Sequence, residues 1–357
     1  MAHALGLAWR GWGRVHPNPL VGAVVLQGDE LIGEGYHAEY GDAHAEVIAL
    51  AAAGERARGA TLVVTLEPCA HRGQQPPCTD AVIAAGIRRV VVALRDPNPV
   101  AAGGADRLRA AGIEVEIGLA AAEAAAQNAA FLQRLQGSPR PFVALKLATS
   151  VDARIADRDR RSRWISGPAA RDYIHWLRAG FDAIGIGGAT ARHDDPSLTV
   201  RGSVTPRVPP RRVVFAPALQ LMVDSTLVRT AHDIPTTVVT GRDAFGWEVG
   251  RALAAAGVEL LPAESLEEAL AALRERGVNS LLVEGGGRLS GALLRAELVD
   301  RLYWVQSPLW LGERGVPAFA GLPSIPLAAV DRWTPVERRA LGDDTLLVLD
   351  RQCSPAS

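Results

Sequence analysis

The sequence predicts two consecutive α/β domains, residues 1–138 and residues 139–357. Three observations predict this. The chain has 357 residues, whereas one domain usually takes about 100–200. Short β-rich runs alternate with helical patterns along its length, which is the pattern of a layered α/β architecture. Gln136-Gly-Ser-Pro-Arg-Pro141 gathers turn formers between a helical run and a new strand, and so marks the boundary.

In the first half, residues 20–27 and 31–36 read as strands joined by Gly28-Asp29-Glu30, a hairpin signal. Residues 44–53 read as a helix, with Asp42 a candidate N-cap and apolar residues at Val47, Ile48, Leu50 and Ala51. A strand at 61–66, a short helix at 80–85 and a strand at 89–94 follow, and then helices at 105–111 and 123–135. Beyond the boundary, strands are expected at 142–148, 183–187, 211–215, 236–240, 258–261, 280–283, 300–305 and 345–349. Helical patterns at 169–179, 247–256, 266–276 and 289–296 are interleaved with them. No internal repeat is apparent.

Composition narrows the function. Thirty-eight basic residues against 39 acidic give a formal charge of −1, which removes the simplest electrostatic reason to expect a polyanion partner. No apolar run approaches the 18 or more residues of a membrane span, and residues 1–14 lack a signal-peptide core, so a cytoplasmic location is expected. The cysteines are Cys69, Cys78 and Cys353, too few for a disulfide framework. Metal binding is the better use for the close pair, and Cys353 reads as a bystander.

His44-Ala-Glu46 opens a helix, Pro68-Cys69 follows a strand, and Cys78 comes nine positions later. One imidazole and two thiolates make three zinc ligands and leave a fourth tetrahedral position open, the form of a catalytic site. Zinc in such a site lowers the pKa of water toward neutrality, and Glu46 can carry the proton to a departing amine. The order His-x-Glu then Pro-Cys is that of zinc nucleobase deaminases, except that eight residues rather than two separate the cysteines. His and Glu two apart diverge in mid-helix, so the reading requires both in the first turn. Taken singly, His-x-Glu is usually a surface helix start and a lone cysteine a buried hydrophobe. Their joint occurrence, in order and beside the expected elements, makes zinc the stronger reading.

Pro17-Asn18-Pro19-Leu-Val-Gly22, His44-Ala-Glu46, Thr65-Leu-Glu-Pro-Cys69-Ala-His71-Arg-Gly73, Pro76-Pro-Cys78 and Asp96-Pro-Asn98-Pro together resemble the bifunctional deaminase/reductase of riboflavin biosynthesis. The resemblance covers nearly the whole chain. It implies a cytidine-deaminase-like three-layer α/β/α domain followed by a dihydrofolate-reductase-like α/β domain. The implied substrate is a diaminohydroxypyrimidine carrying a ribosylamino 5′-phosphate, whose 2-amino group leaves as ammonia. Asn18, His37, His71 and Asn98 would line its pocket, although the two Asn-Pro pairs also suit ordinary turns. Where the family usually has Lys or Arg for the phosphate, this chain has Gln74, with Arg72 as a substitute.

The second half lacks an early Gly-x-Gly-x-x-Gly, so it is not a standard dinucleotide fold. Its glycine cluster, Glu284-Gly-Gly-Gly287, sits between a strand and a helix, where backbone amides can approach a pyrophosphate. Lys146-Leu-Ala-Thr-Ser-Val-Asp152, Trp164-Ile-Ser166 and Asp194-Asp-Pro-Ser-Leu-Thr-Val-Arg201 extend the resemblance into the NADPH-dependent reductase. It implies cofactor contacts by Ala148, Trp164, Thr190 and Asp194. It adds the run Gly286, Gly287, Arg288, Leu289, Ser290, Gly291 and Ala292. Lys146, Ser162, Arg178, Leu198, Arg201 and Glu284 would hold the substrate, whose opened ribose accepts hydride to become a ribityl chain. Arg178 and Arg201 suit phosphate because guanidinium binds it bidentately. Two departures stand out, Ala153 where the family has Gly, and Ala216-Pro217 where it has Asp-Ser.

Two rival readings are a nucleic-acid editing deaminase and a deaminase with a non-catalytic dimerisation domain. An editor needs a basic groove and stacking aromatics, against 5% aromatics and a charge of −1 here. The expected partners are therefore a small pyrimidine ribotide, zinc and NADPH, with no nucleic acid and no membrane, in a homo-oligomer.

Overall fold

The central strands in both halves are short and apolar on both faces, which demands helices on each side of the sheet. A computed structural model describes residues 1–73, 75–326 and 332–351. Gln74 and Cys353 lie outside the described residues. The chain forms two compact units, Met1–Gly137 and Ser138–Ser357. No helix among the described residues is long and apolar enough to cross a membrane.

The first unit has a five-stranded sheet built from β1 (Gly22–Gln27), β2 (Glu30–Tyr36), β3 (Thr61–Leu66), β4 (Arg89–Leu94) and β5 (Glu114–Ile117), in the order β2-β1-β3-β4-β5. β1 runs antiparallel to β2 and β3, whereas β3, β4 and β5 are parallel. Its helices are α1 (Ala2–Ala8), α2 (Ala45–Ala53), α3 (Cys78–Ala84), α4 (Gly104–Ala110), α5 (Ala121–Gln127) and α6 (Ala129–Leu135). Alternate side chains face opposite ways along each strand. Val24, Val63 and Val91 pack on Ala4 and Leu7 of α1. Ala23, Val25, Leu62, Val64, Val90 and Val92 meet Ala45 and Ala49 of α2, Val82 of α3 and Leu108 of α4.

Two glycines of β2 set the position of α2. A Cβ at Gly33 would lie 2.3 Å from the Ala49 carbonyl oxygen, and one at Gly35 would lie 2.5 Å from that of Ala45. The helix backbone therefore rests directly on the strand, and any larger residue would lift it, at a typical overpacking cost of about 1–3 kcal/mol. This contact matters because the N-terminus of α2 carries His44 and Glu46.

The structure differs from the expected elements in three places here. His44, not Asp42, occupies the N-cap of α2. The expected helix 123–135 breaks at Asn128 into α5 and α6, because the Asn128 side chain accepts from Leu20 N at 2.8 Å and donates to Leu20 O at 3.0 Å. Elements α1 and β5 were not anticipated; α1 is short and rich in Ala and Gly, and β5 is only half buried on alternate residues.

The second unit contains β6 (Phe142–Thr149), β7 (Arg154–Ala156), β8 (Ala183–Gly187), β9 (Arg211–Phe215), β10 (Thr236–Thr240), β11 (Glu259–Pro262), β12 (Ser280–Glu284), β13 (Arg301–Gln306), β14 (Val316–Pro317), β15 (Trp333–Leu341) and β16 (Asp344–Arg351). Nine of these form one sheet, ordered β11-β10-β9-β8-β12-β6-β13-β16-β15, and β7 pairs with β14. The sheet is parallel from β11 to β13, and β16 and β15 continue it antiparallel. Helices α7 (Pro168–Ala179), α8 (Gly188–Asp194), α9 (Thr226–Arg229), α10 (Glu248–Ala255), α11 (Leu266–Glu275) and α12 (Gly287–Arg295) complete it. One core joins Val143, Leu145, Val213 and Val283 to Leu270 of α11 and Leu293 of α12. A second joins Ile184, Ile186, Val214 and Val238 to Leu227 of α9 and Leu253 of α10.

From β6 the chain steps outward through β8, β9, β10 and β11, then returns to insert β12 between β8 and β6. In parallel sheets, ligands bind outside the carboxyl ends of the strands at such a reversal. Strand β15 was not anticipated, because its side chains are mostly exposed and show no apolar alternation.

Candidate active sites

In the first unit, His44 is held at the N-cap in an extended conformation (φ −74°, ψ 159°), and Glu46 lies in the first turn of α2. Cys78 is the first residue of α3, and Cys69 follows β3. His44 Nδ1 lies 3.0 Å from Cys78 Sγ and 3.7 Å from Cys69 Sγ. The three ligand atoms all fall within 4.8 Å of one another. Both cysteines are free and buried. The set of one imidazole and two thiolates, converging from two helix starts and a strand end, fits zinc with one open position.

Without a cation the thiol pair holds one proton unequally. Cys69 is pushed down to about 4 by the hydrogen bond from Cys78, aided by His44 and by the Cys78 backbone N–H at 3.4 Å. Cys78 is pushed up by that same bond and by burial. A bound dication supplies the charge that lets both ionise. Glu46 is 3% exposed, and burial raises its carboxyl above the ordinary range. A raised carboxyl beside a metal suits a group that takes and returns a proton.

A cavity of about 270 Å³ opens on His44, Glu46 and Cys69, and Asn18, His37, His71 and Asn98 all line it. His37 Nδ1 lies 3.3 Å from the Ala43 carbonyl oxygen, which makes Nδ1 the protonated nitrogen and leaves Nε2 to accept from Asn18 Nδ2 at 3.1 Å. Burial lowers the His37 pKa, consistent with this neutral form. The Nδ1 of His71 is buried without a hydrogen-bond partner. Asn98 makes the turn its Asn-Pro sequence suggests, with Oδ1 accepting from Val100 N at 3.1 Å, and still reaches the cavity.

The sequence did not single out Glu67, Phe131 or Arg134, which also line it. Glu67 accepts from Asp96 N at 3.1 Å and Ala105 N at 2.8 Å, and so ties the Cys69 loop to the Asn98 loop. An acid between an apolar strand and Pro-Cys was the available signal. Arg72 is exposed and is not among the lining residues.

In the second unit, β6 is buried except at Lys146 and Ala148, two residues apart on one face near its carboxyl end. Lys146 is the single lysine of the chain. The other 37 residues of the lysine-plus-arginine count are arginines, so this position alone offers a compact amine whose charge can be tuned. Burial lowers its pKa, opposed by the Glu284 carboxylate. Burial alone would raise Glu284, but the charge and hydrogen bonds of Arg178, with Lys146, outweigh it and hold Glu284 at about 2.

Arg178, expected at the substrate, lies against Glu284, which is expected there too. Its guanidinium pairs with both Glu284 oxygens, at 2.5 and 2.9 Å, and donates to the Thr199 carbonyl oxygen at 2.9 Å. Three of its five N–H donors are thereby engaged. Arg178 fixes Glu284 and the 199 loop, and Arg201 is left as the exposed guanidinium, bonded to Ser197 Oγ at 2.6 Å.

A Cβ at Gly287 would lie 2.3 Å from the Pro317 carbonyl oxygen, and one at Gly291 would lie 2.0 Å from that of Ala320. These glycines, with the buried Ser290, face the protein, while Arg288 is exposed and Gly286, Leu289 and Ala292 are half-buried. Gly286 adjoins α8, since its Cβ would meet Thr190 Oγ1 at 2.9 Å. Asp194 ends α8, and its carbonyl accepts from Arg163 at 3.1 Å. Trp164 is 70% exposed, with the Arg171 guanidinium 4.5 Å from its ring centre. Ser162 is half-buried, and Leu198 is buried.

Nothing in the structure explains Ala153, which keeps a left-handed φ of 56° where a glycine costs least. Ala216 is packed against α8, where a Cβ on Gly188 would already lie 2.9 Å from the Ala216 Cβ.

Residues 1–94 match the cytidine and deoxycytidylate deaminase zinc-binding region, and residues 141–347 match the RibD C-terminal domain. The chain is 42% identical to the riboflavin biosynthesis protein RibD of Escherichia coli, covering 98% of each chain. It is 39% identical to that of Aquifex aeolicus, over 98% of this chain and 97% of the relative. The solved structure of Acinetobacter baumannii RibD superposes with a TM-score of 0.80 at 36% identity, over 99% of this chain and 98% of that one. A Thermotoga maritima structure, a diaminohydroxyphosphoribosylaminopyrimidine deaminase/5-amino-6-(5-phosphoribosylamino)uracil reductase, gives 0.82 at 33% identity, over 99% and 97%.

A deaminase-type zinc site in one unit and a reductase-type parallel sheet in the other define a two-domain deaminase–reductase. The chain belongs to the RibD family, the bifunctional zinc-dependent deaminases and NADPH-dependent reductases of riboflavin biosynthesis.

Proposed function

We propose that the first unit deaminates 2,5-diamino-6-(5-phosphoribosylamino)pyrimidin-4-one and that the second reduces the ribosyl group of the product to ribityl. The observation that carries the reading is the cavity lined by His44, Cys69, Glu46 and the Asn18–His37 pair, with the Cys78 thiol within ligand distance of His44 and Cys69. It offers a nucleophile-generating metal site and a set of polar groups to one small ring.

Zinc would be held by His44, Cys69 and Cys78 and would supply the Lewis acidity that makes water nucleophilic near neutral pH. Glu46 carries the two protons of the attacking water, one to the ring nitrogen beside C2 and one to the 2-amino group, so that the C2–N bond breaks as the C2 carbonyl forms and ammonia departs. Asn18, His37, His71 and Asn98 orient the ring, with the His37 tautomer fixed by Ala43.

In the second unit NADPH would supply the hydride. The backbone amides at the start of α12, with Thr190, would hold its pyrophosphate. Ala148, Trp164 and Asp194 would hold the remainder of the cofactor. Ser162 and Leu198 flank the sugar, and Arg201 binds the substrate phosphate. Lys146, held beside Glu284 and the Arg178 that fixes it, gives the proton that accompanies hydride addition to the opened ribose.

The test is Lys146→Arg, which keeps the charge and removes the tunable amine. NADPH oxidation with the deaminated ribotide falls by at least about 100-fold, the lower range for a positioned proton donor. Ammonia release from the diaminopyrimidine ribotide persists. Near-normal NADPH oxidation removes Lys146 from this role.

A further inference from the structure

We propose that Arg134 is the cation that receives the 5′-phosphate of the substrate in the deaminase cavity; the inference rests on the ribotide reading above. Arg134 is the only arginine or lysine among the described residues that line this cavity. The lining otherwise carries Asp42, Glu46, Glu67 and Asp96. A phosphate dianion entering it therefore meets one permanent positive charge.

The fold puts Arg134 there by a specific construction. Asn128 breaks the helical run and bonds its side chain to both backbone groups of Leu20, which pins the start of α6 to the segment carrying Asn18. At the other end of α6, Arg134 donates to the Pro17 carbonyl oxygen at 3.1 Å. Phe131 and Arg134, three apart, share one face of the helix and line the cavity together. The guanidinium lies 5.4 Å from the Phe131 ring centre. An anchored arginine beside the residue that orients the base is placed to hold the far end of the same ligand. Gln74, the position from which a cation was missing, need not supply one.

The experiment uses the full, zinc-loaded chain and compares ammonia release from the diaminopyrimidine ribotide with that from its 5′-dephosphorylated riboside. The readout is the ratio of the two kcat/KM values. The wild type prefers the ribotide. Arg134→Gln lowers that preference about 10- to 100-fold, the worth of one charge-assisted hydrogen bond, and Arg134→Lys keeps most of it. A purely structural role in holding Pro17 lowers both activities and leaves the ratio unchanged, which overturns the proposal. Equal kcat/KM for ribotide and riboside in the wild type overturns it without any variant. Turnover of neither compound by the wild type is a different result, and it overturns the ribotide reading itself.

Discussion

Glu46→Gln retains its zinc and its fold and loses deamination by at least about 100-fold, the lower range for a positioned general acid/base. The side chain is 3% exposed and lies in the first turn of α2, two residues after His44. Glutamine keeps the shape and fills the same space. It cannot take a proton from water, so the metal keeps its ligands while the reaction loses its shuttle. Hydride transfer to the already deaminated ribotide continues, because Lys146 and Glu284 belong to the other unit. Zinc content, ammonia release and NADPH oxidation on one preparation check this. Near-normal ammonia release removes Glu46 from the mechanism.

Cys78→Ala abolishes deamination by emptying the site. Among the described residues the cluster offers three ligands, and no further His, Cys, Asp or Glu joins them. Losing one leaves a two-ligand site that does not hold zinc against a chelator. Cys78 is also fully buried at the start of α3, but alanine is a good helix former and leaves only a small void. The variant is therefore expected to stay folded, with reductase activity intact. Elemental analysis after dialysis against chelator reads the outcome, and full zinc retention contradicts the ligand assignment.

The zinc site was legible in the sequence because its chemistry is local: His44 and Glu46 share one turn, and Cys69 and Cys78 flank one loop. The wall opposite was not legible. Phe131 and Arg134 reach the cavity only because Asn128 turns α6 toward Leu20, and the helical periodicity of residues 123–135 gives no hint of that break. Most central strands could be read from continuous apolar runs, whereas β15 was hidden by its exposed side chains at the sheet edge. In the reductase, the glycine cluster marked a strand-to-helix turn, and part of it has a packing reason. Gly287 and Gly291 accommodate the backbone at Pro317 and Ala320, so only part of the run faces outward. Arg178 meets Glu284, a partner 106 positions away in sequence, and residue type alone gave no sign of that pairing.

The central claim is that one chain performs a zinc-dependent deamination and a separate NADPH-dependent reduction. Its most direct test supplies the diaminopyrimidine ribotide to the purified chain with NADPH, before and after zinc is stripped, and follows ammonia and NADPH together. The zinc-loaded protein is predicted to release ammonia and consume NADPH. The stripped protein is predicted to do neither from this substrate, yet to oxidise NADPH when given the deaminated ribotide. Undiminished ammonia release without zinc, or no NADPH oxidation with the deaminated ribotide in either form, would contradict the account.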